Sequence, residues 1–197
     1  TLLEATKKDL QDSVASAKRA IEILKTAVAT DATAQKGYES NRLVAHSIMT
    51  DAYRLLIETR ADADKTAEAS QAINDYLALE TDAAKKTKAQ MMMADAFRKV
   101  GNSDLAIPLY RQVLETSPDN ADALAGLGLS LFNSGVVASN KEQMQEGLNI
   151  MQRFADSAPD THTLKQSVKE AVDYLKTQEK LTPQKTTRPA ATTRKKT

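Results

Sequence analysis

The stretch from Thr87 to Asn120, TKAQMMMADAFRKVGNSDLAIPLYRQVLETSPDN, decides the fold. Its first half is rich in Ala, Met, Lys and Gln, which lose little rotamer freedom in a helix. Gly101 and Asn102 follow, and a Gly there ends a helix cheaply by taking the left-handed conformation. Ser103 opens a second helix that runs to about Thr116 and stops before Pro118. Pro108 sits in the second turn of that helix, where it removes one backbone hydrogen bond. The stretch is therefore a helical hairpin.

Outward from this hairpin the chain repeats itself. AIPLYRQVLET from Ala106 matches AINDYLALET from Ala72, and both Ala106 and Tyr110 lie 34 positions after their counterparts Ala72 and Tyr76. MADAFR from Met93 matches MTDAYR from Met49 with a shift of 44, so the first unit is longer near its inter-helix turn. A third unit begins ALAGLGLSLFNSG at Ala123 and returns through GLNIMQRFADSAP. Internal repeats of this period signal a stack of helix pairs that share one core.

The middle unit resembles a tetratricopeptide repeat. Met93 and Ala94 stand at the family's Leu-Gly pair, Phe97 at its Tyr and Gly101 at the turn. Ala106 stands at the small residue of the second helix, Tyr110 at its aromatic and Pro118 at the closing Pro. The next unit supplies Leu127, Gly128, Leu131 and Gly135, then Gly147, Met151 and Pro159, while Gln90 and Leu124 replace the family's leading Trp. Small residues such as Ala94, Gly128, Ala106 and Gly147 let two helices approach, and Phe97, Tyr110, Leu131 and Met151 fill the space between. The resemblance spans about Asn41 to Lys180. It implies an all-α, TPR-like α-solenoid of antiparallel helix pairs, with about eight helices and a basic C-terminal tail.

The expected organisation is a helical domain over 1–180. A long N-terminal helix occupies 1–37, with Leu3, Leu10, Val14, Ala17, Ile21, Leu24 and Val28 in a heptad-like stripe that Gly37 stops. The stripe suits either a helix on the core or a seam with another chain. Repeat units follow at 41–84, 87–120 and 121–160, and a capping helix at 161–180. Ser40 is the expected cap of the second helix, whose inner stripe is Val44, Ile48, Ala52 and Leu55. Asp62 or Asp64 caps the third. Asp119 or Asn120 opens the sixth, the pair Ser139 and Glu142 forms a capping box for the seventh, and Thr161 or Thr163 opens the eighth. Residues 181–197 are rich in Thr and basic residues, contain two Pro and lack acids, which is the composition of a disordered basic tail.

Composition narrows the function. The formal charge is +1, which gives no long-range pull toward nucleic acid. No cysteine is present, so disulfides, thiolate catalysis and Cys-zinc sites are excluded. No apolar stretch approaches the ~20 residues of a membrane span. The opening TLLEATKKDLQ reads as a helix start without Met, which favours a removed leader and an extracytoplasmic (periplasmic or exported) setting over a cytoplasmic one. His46 and His162 stand far apart in sequence without metal-ligand spacing, and no phosphate-binding glycine motif occurs. No catalytic, metal or cofactor site is expected, and no small-molecule substrate.

The resemblance implies instead a partner-binding groove lined by the first helices of the units. Asp51 and Arg54 recur as Asp95 and Arg98, and Lys88, Leu129, Phe132 and Asn133 fall on the same surface. Leu129 and Phe132 are apolar where earlier units carry Asp and Arg, so the expected groove is charged at one end and apolar at the other. Two functions suit this: a non-catalytic scaffold that assembles a multiprotein complex through the groove, or a subunit of a homo-oligomer, filament or tubule joined through the N-terminal helix and the tail.

Overall fold

A computed structural model describes residues 2–184. Eight α-helices and no strands occur among them: α1 (Leu2–Thr26), α2 (Ala32–Glu58), α3 (Thr66–Leu79), α4 (Ala83–Lys99), α5 (Ser103–Thr116), α6 (Ala121–Val137), α7 (Lys141–Ser157) and α8 (Lys165–Thr177), with a 3-10 turn at Ala63–Lys65. The pairs α2/α3, α4/α5 and α6/α7 are the units. Their first helices pack on one another, α2 on α4, α4 on α6 and α6 on α8, whereas the second helices are spaced apart. The array therefore curves toward the side of α2, α4, α6 and α8, which forms its concave face.

The small-against-large packing is as expected. Phe97, Tyr110 and Met151 are fully buried. A Cβ on Gly128 would lie 2.4 Å from Met151 Cγ, and one on Gly147 would lie 3.2 Å from the Gly128 carbonyl oxygen. Helices α6 and α7 thus meet nearly backbone to backbone. Gly101, at φ +82°, closes α4 as a left-handed cap, with Asn102 N–H donating to the Phe97 carbonyl at 2.9 Å.

Several boundaries differ from the sequence expectation. α1 ends at Thr26, and Gly37 lies inside α2 instead of stopping the first helix. The signal that wins is Asp31, whose carboxylate accepts from the Thr33 and Ala34 amides at 2.8 Å each and caps α2 nine residues ahead of the expected Ser40. One isolated Gly costs about 1 kcal/mol in a helix, which a 27-residue helix absorbs. Asp62 does not cap α3. It accepts from Gln11 Nε2 at 3.0 Å instead, tying α1 to the turn after α2.

Ser139 does not form a capping box. It sits at φ +51° as the residue that ends α6, with Asn140 N–H returning to the Gly135 carbonyl at 2.8 Å, and Asn140 caps α7 through Gln143 N–H. Neither Thr161 nor Thr163 caps α8. Leu164 stands at that position, and its N–H donates to His162 Nδ1 at 3.1 Å.

The first four residues of the expected tail are also part of the fold. Leu181 N–H donates to the Leu175 carbonyl at 3.0 Å, Gln145 Nε2 to the Thr182 carbonyl at 3.0 Å, and Gln184 N–H to Asn149 Oδ1 at 2.8 Å. Residues 181–184 thus lie along α7 and bury Asn149. The remainder of the basic tail, 185–197, lies outside the described residues.

Candidate functional site: the concave face

The repeat register fixes which residues share the concave face. A shift of 44 relates α2 to α4, so Val44 matches Lys88, Ile48 matches Met92, Asp51 matches Asp95 and Arg54 matches Arg98. A shift of 34 relates α4 to α6, so Lys88 matches Asp122, Asp95 matches Leu129, Arg98 matches Phe132 and Lys99 matches Asn133.

Asp95 and Arg98 are held within the fold. The buried Tyr110 hydroxyl donates to Asp95 Oδ1 at 2.6 Å and accepts from Arg98 Nε at 3.2 Å, and Arg98 pairs with Asp95 at 3.5 Å. Burial raises the Tyr110 pKa, and the adjacent Asp95 adds to this, so the hydroxyl stays a donor. In the first unit Arg54 reaches Asp51 at 3.4 Å and Glu58 at 2.7 Å, and Glu58 also pairs with Lys99 of α4. The Lys99 hydrogen bond is the main cause that lowers the Glu58 pKa. These charges clamp one unit to the next, and much of their hydrogen-bonding capacity is already used.

The apolar end is closed. Leu129 is buried, and Phe132 meets Tyr174 of α8 edge to face, with ring centroids 5.6 Å apart. Val168, Ala171, Val172 and Leu175 of α8 complete that cluster. Leu129 is thus core under the last helix and Phe132 is partly covered by it, because α8 takes the place of the next unit's first helix. Asn133 and Lys88 are solvent-exposed.

The exposed apolar residues lie at the opposite end. Val44 is 53% and Ile48 is 50% exposed, contrary to the expected inner stripe of α2. The buried face is Ala45, Met49, Ala52, Tyr53 and Leu56. The missed signal is the 44-residue register itself, which pairs Val44 with the exposed Lys88 on the groove side, whereas Ile48 matches Met92 and then Gly126, the position that faces the preceding second helix, and accordingly borders α1. Lys85 and Lys88 are exposed in the first half of α4. The open concave surface therefore carries the exposed Val44 of α2 and the cationic start of α4.

Residues 87–120 match the family model of the tetratricopeptide repeat, so the unit α4/α5 is such a repeat, and the chain is an all-α helical-repeat array built around it. No curated protein and no solved structure matches the chain. Among the described residues no group of three or more His, Asp or Glu side chains is placed to hold a metal, and no helix is long and apolar enough to cross a membrane. Repeats of this kind are typically non-catalytic and serve protein–protein interaction.

Proposed function

We propose that this protein is a non-catalytic scaffold that holds a protein partner on the open concave face of α2 and α4. The observation that carries this is the exposure of Val44, which stands in α2 where the tetratricopeptide unit α4/α5 has Lys88. An exposed apolar side chain on α2 and exposed cations on α4 suit a polypeptide that presents an apolar residue to Val44 and acidic ones to Lys85 and Lys88. Apolar contact supplies most of the affinity, and the lysines set orientation and salt dependence.

The test is affinity capture from the source proteome with the full chain, followed by quantitative mass spectrometry. Capture with Val44→Glu should lose the specific partner at least about tenfold, equivalent to about 1.4 kcal/mol. Val137→Glu changes an exposed apolar residue elsewhere and should leave capture intact. Equal capture by both variants refutes the concave-face assignment.

A further inference from the structure

His46 of α2 stands at a position that the later units fill differently. The shift of 44 matches it to Gln90 of α4, whose amide donates to Gln112 of α5 at 2.7 Å, and the further shift of 34 leads to Leu124, buried in α6. The residue of α3 that corresponds to Gln112 is Ala78, which has no polar side chain to offer. His46 is therefore left without the kind of partner that its position has in α4. It is 6% exposed, and its Nδ1 is buried with no hydrogen-bond partner among the described residues. A buried polar atom without a partner is costly and uncommon in a native fold.

The imidazole lines a furrow of about 390 Å³ between α1 and α3, on the side of the array away from the concave face. Ile21 of α1, Met49 and Tyr53 of α2 and Ala72 of α3 are buried along it and give it an apolar floor. Its rim is charged. On the α3 side the charges are engaged locally, because Lys65 donates to Glu68 at 2.8 Å and Gln71 to Asp75 at 2.7 Å. On the α1 side Glu22 stands between Lys18 and Lys25, so that side carries a net positive charge. Lys18 Nζ lies 5.6 Å from the Tyr53 ring centroid and Lys25 acts on the charge of His46, yet neither lysine forms an ion pair among the described residues. Burial lowers the His46 pKa below 6.5, so at neutral pH the ring is uncharged and has one donor and one acceptor nitrogen.

We propose that this furrow receives an aromatic side chain with a polar tip, Tyr or Trp, from a partner polypeptide that carries acidic residues beside it. The body of the ring packs on Met49, Tyr53 and Ala72, and its O–H or N–H meets the imidazole, which gives His46 the hydrogen bond that the fold withholds. Tyr and Trp are the side chains that carry most energy in small desolvated interface pockets. Charge complementarity sets the flanks and makes the occupant a polypeptide. Lys18 and Lys25 are seven residues apart on α1. That is about 10 Å along a helix, farther than one inserted side chain spans, so acidic neighbours of the aromatic residue reach them. This site is separate from the concave face, and either assignment can fail alone.

The probe is the synthetic tripeptide acetyl-Glu-Trp-Glu-amide, titrated into the isotope-labelled full chain and followed by the NMR signals of the His46 ring and the Met49 methyl group. Saturable shifts confined to the furrow are expected with a Kd of about 1 mM, well within what a ligand of that size gains per atom. Replacing the probe's Trp by Phe, which lacks the polar tip, should weaken binding several-fold, and in His46→Leu the two probes should bind alike. Leu is the residue that α6 carries at this position. Lys25→Glu changes only an exposed side chain, so it tests the site whatever His46→Leu does to the fold. It should cancel the preference for Glu over Lys beside the probe's Trp, whereas Val44→Glu should change nothing. The proposal is overturned by no saturable shift at about 10 mM, by equal binding of the Trp and Phe probes to the native chain, or by shifts centred on the concave face. So is it by equal affinity for N-acetyltryptophanamide, since a free aromatic small molecule would then be the occupant.

Discussion

The Tyr110 hydroxyl, carried by α5, donates to Asp95 Oδ1 on α4 across 2.6 Å. Tyr110 also receives Arg98 Nε, so one buried phenol ties the two charges of α4 to the neighbouring helix. Tyr110→Phe keeps the packing and removes only the oxygen. It should destabilise the fold by about 1–2 kcal/mol, because a partly buried carboxylate loses its donor. Urea denaturation followed by circular dichroism measures this. A change within error would mean that Asp95 and Arg98 are free surface groups, available to a partner after all.

The glycines should respond with opposite signs. A Cβ on Gly126 would fall 2.3 Å from the Tyr110 ring, so Gly126→Ala should cost about 1–3 kcal/mol by overpacking. In a Tyr110→Leu background the added cost should shrink, and the double-mutant cycle reports that coupling. A Cβ on Gly37 would have nothing within 4 Å, and the residue lies inside α2, so Gly37→Ala should stabilise by about 1 kcal/mol. A loss of stability there would contradict the placement of Gly37 within a helix.

His46 should make stability depend on pH in a defined window. Burial lowers its pKa below the ordinary 6.5; Asp75 opposes this, and Lys25 and Arg42 reinforce it. As pH falls the unfolded chain takes up this proton first, so stability present above pH 6.5 is lost as pH drops through the folded-state pKa. Glu58, Glu68 and Glu80 are held below their usual 4.5 and contribute their own loss only from about that value downward. Between the two values the slope of melting temperature against pH should therefore be positive and should flatten in His46→Gln. An unchanged slope would show that His46 titrates alike in both states.

Ending the chain at Lys180 should loosen α7. It removes the bonds from Gln145 to the Thr182 carbonyl and from Gln184 N–H to Asn149, and it bares Asn149, now 8% exposed. The expected loss is about 1–2 kcal/mol, with faster amide exchange confined to α7 and α8. Exchange that is unchanged in both helices would mean that residues 181–184 add nothing to the fold.

The middle unit is legible from its residues because its punctuation is local. Gly101 must take a left-handed conformation, Pro118 cannot continue a helix, and Ala106 and Tyr110 are small and large at places where two helices cross. The start of α2 is not legible in the same way, because two local signals compete there: Gly37 and Ser40 read as a break, while Asp31 supplies the stronger cap. Ser139 misleads for a related reason. A Ser next to a helix can open that helix or end the preceding one, and only the backbone conformation, φ +51°, tells which.

The sequence by itself determined the class of fold, the helical hairpin of the middle unit and its small-against-large contacts, since these follow from helix propensity, period and volume. It did not determine which apolar residues are covered, or by what. Leu129 and Phe132 read as a binding patch until α8 lies across them, and Val44 and Ile48 read as core although each is half exposed. Periodicity records the apolar character of a helix face, whereas its cover depends on which elements arrive from distant parts of the chain. That was settled only when α8 closed one end of the array and left the α1–α2 end open.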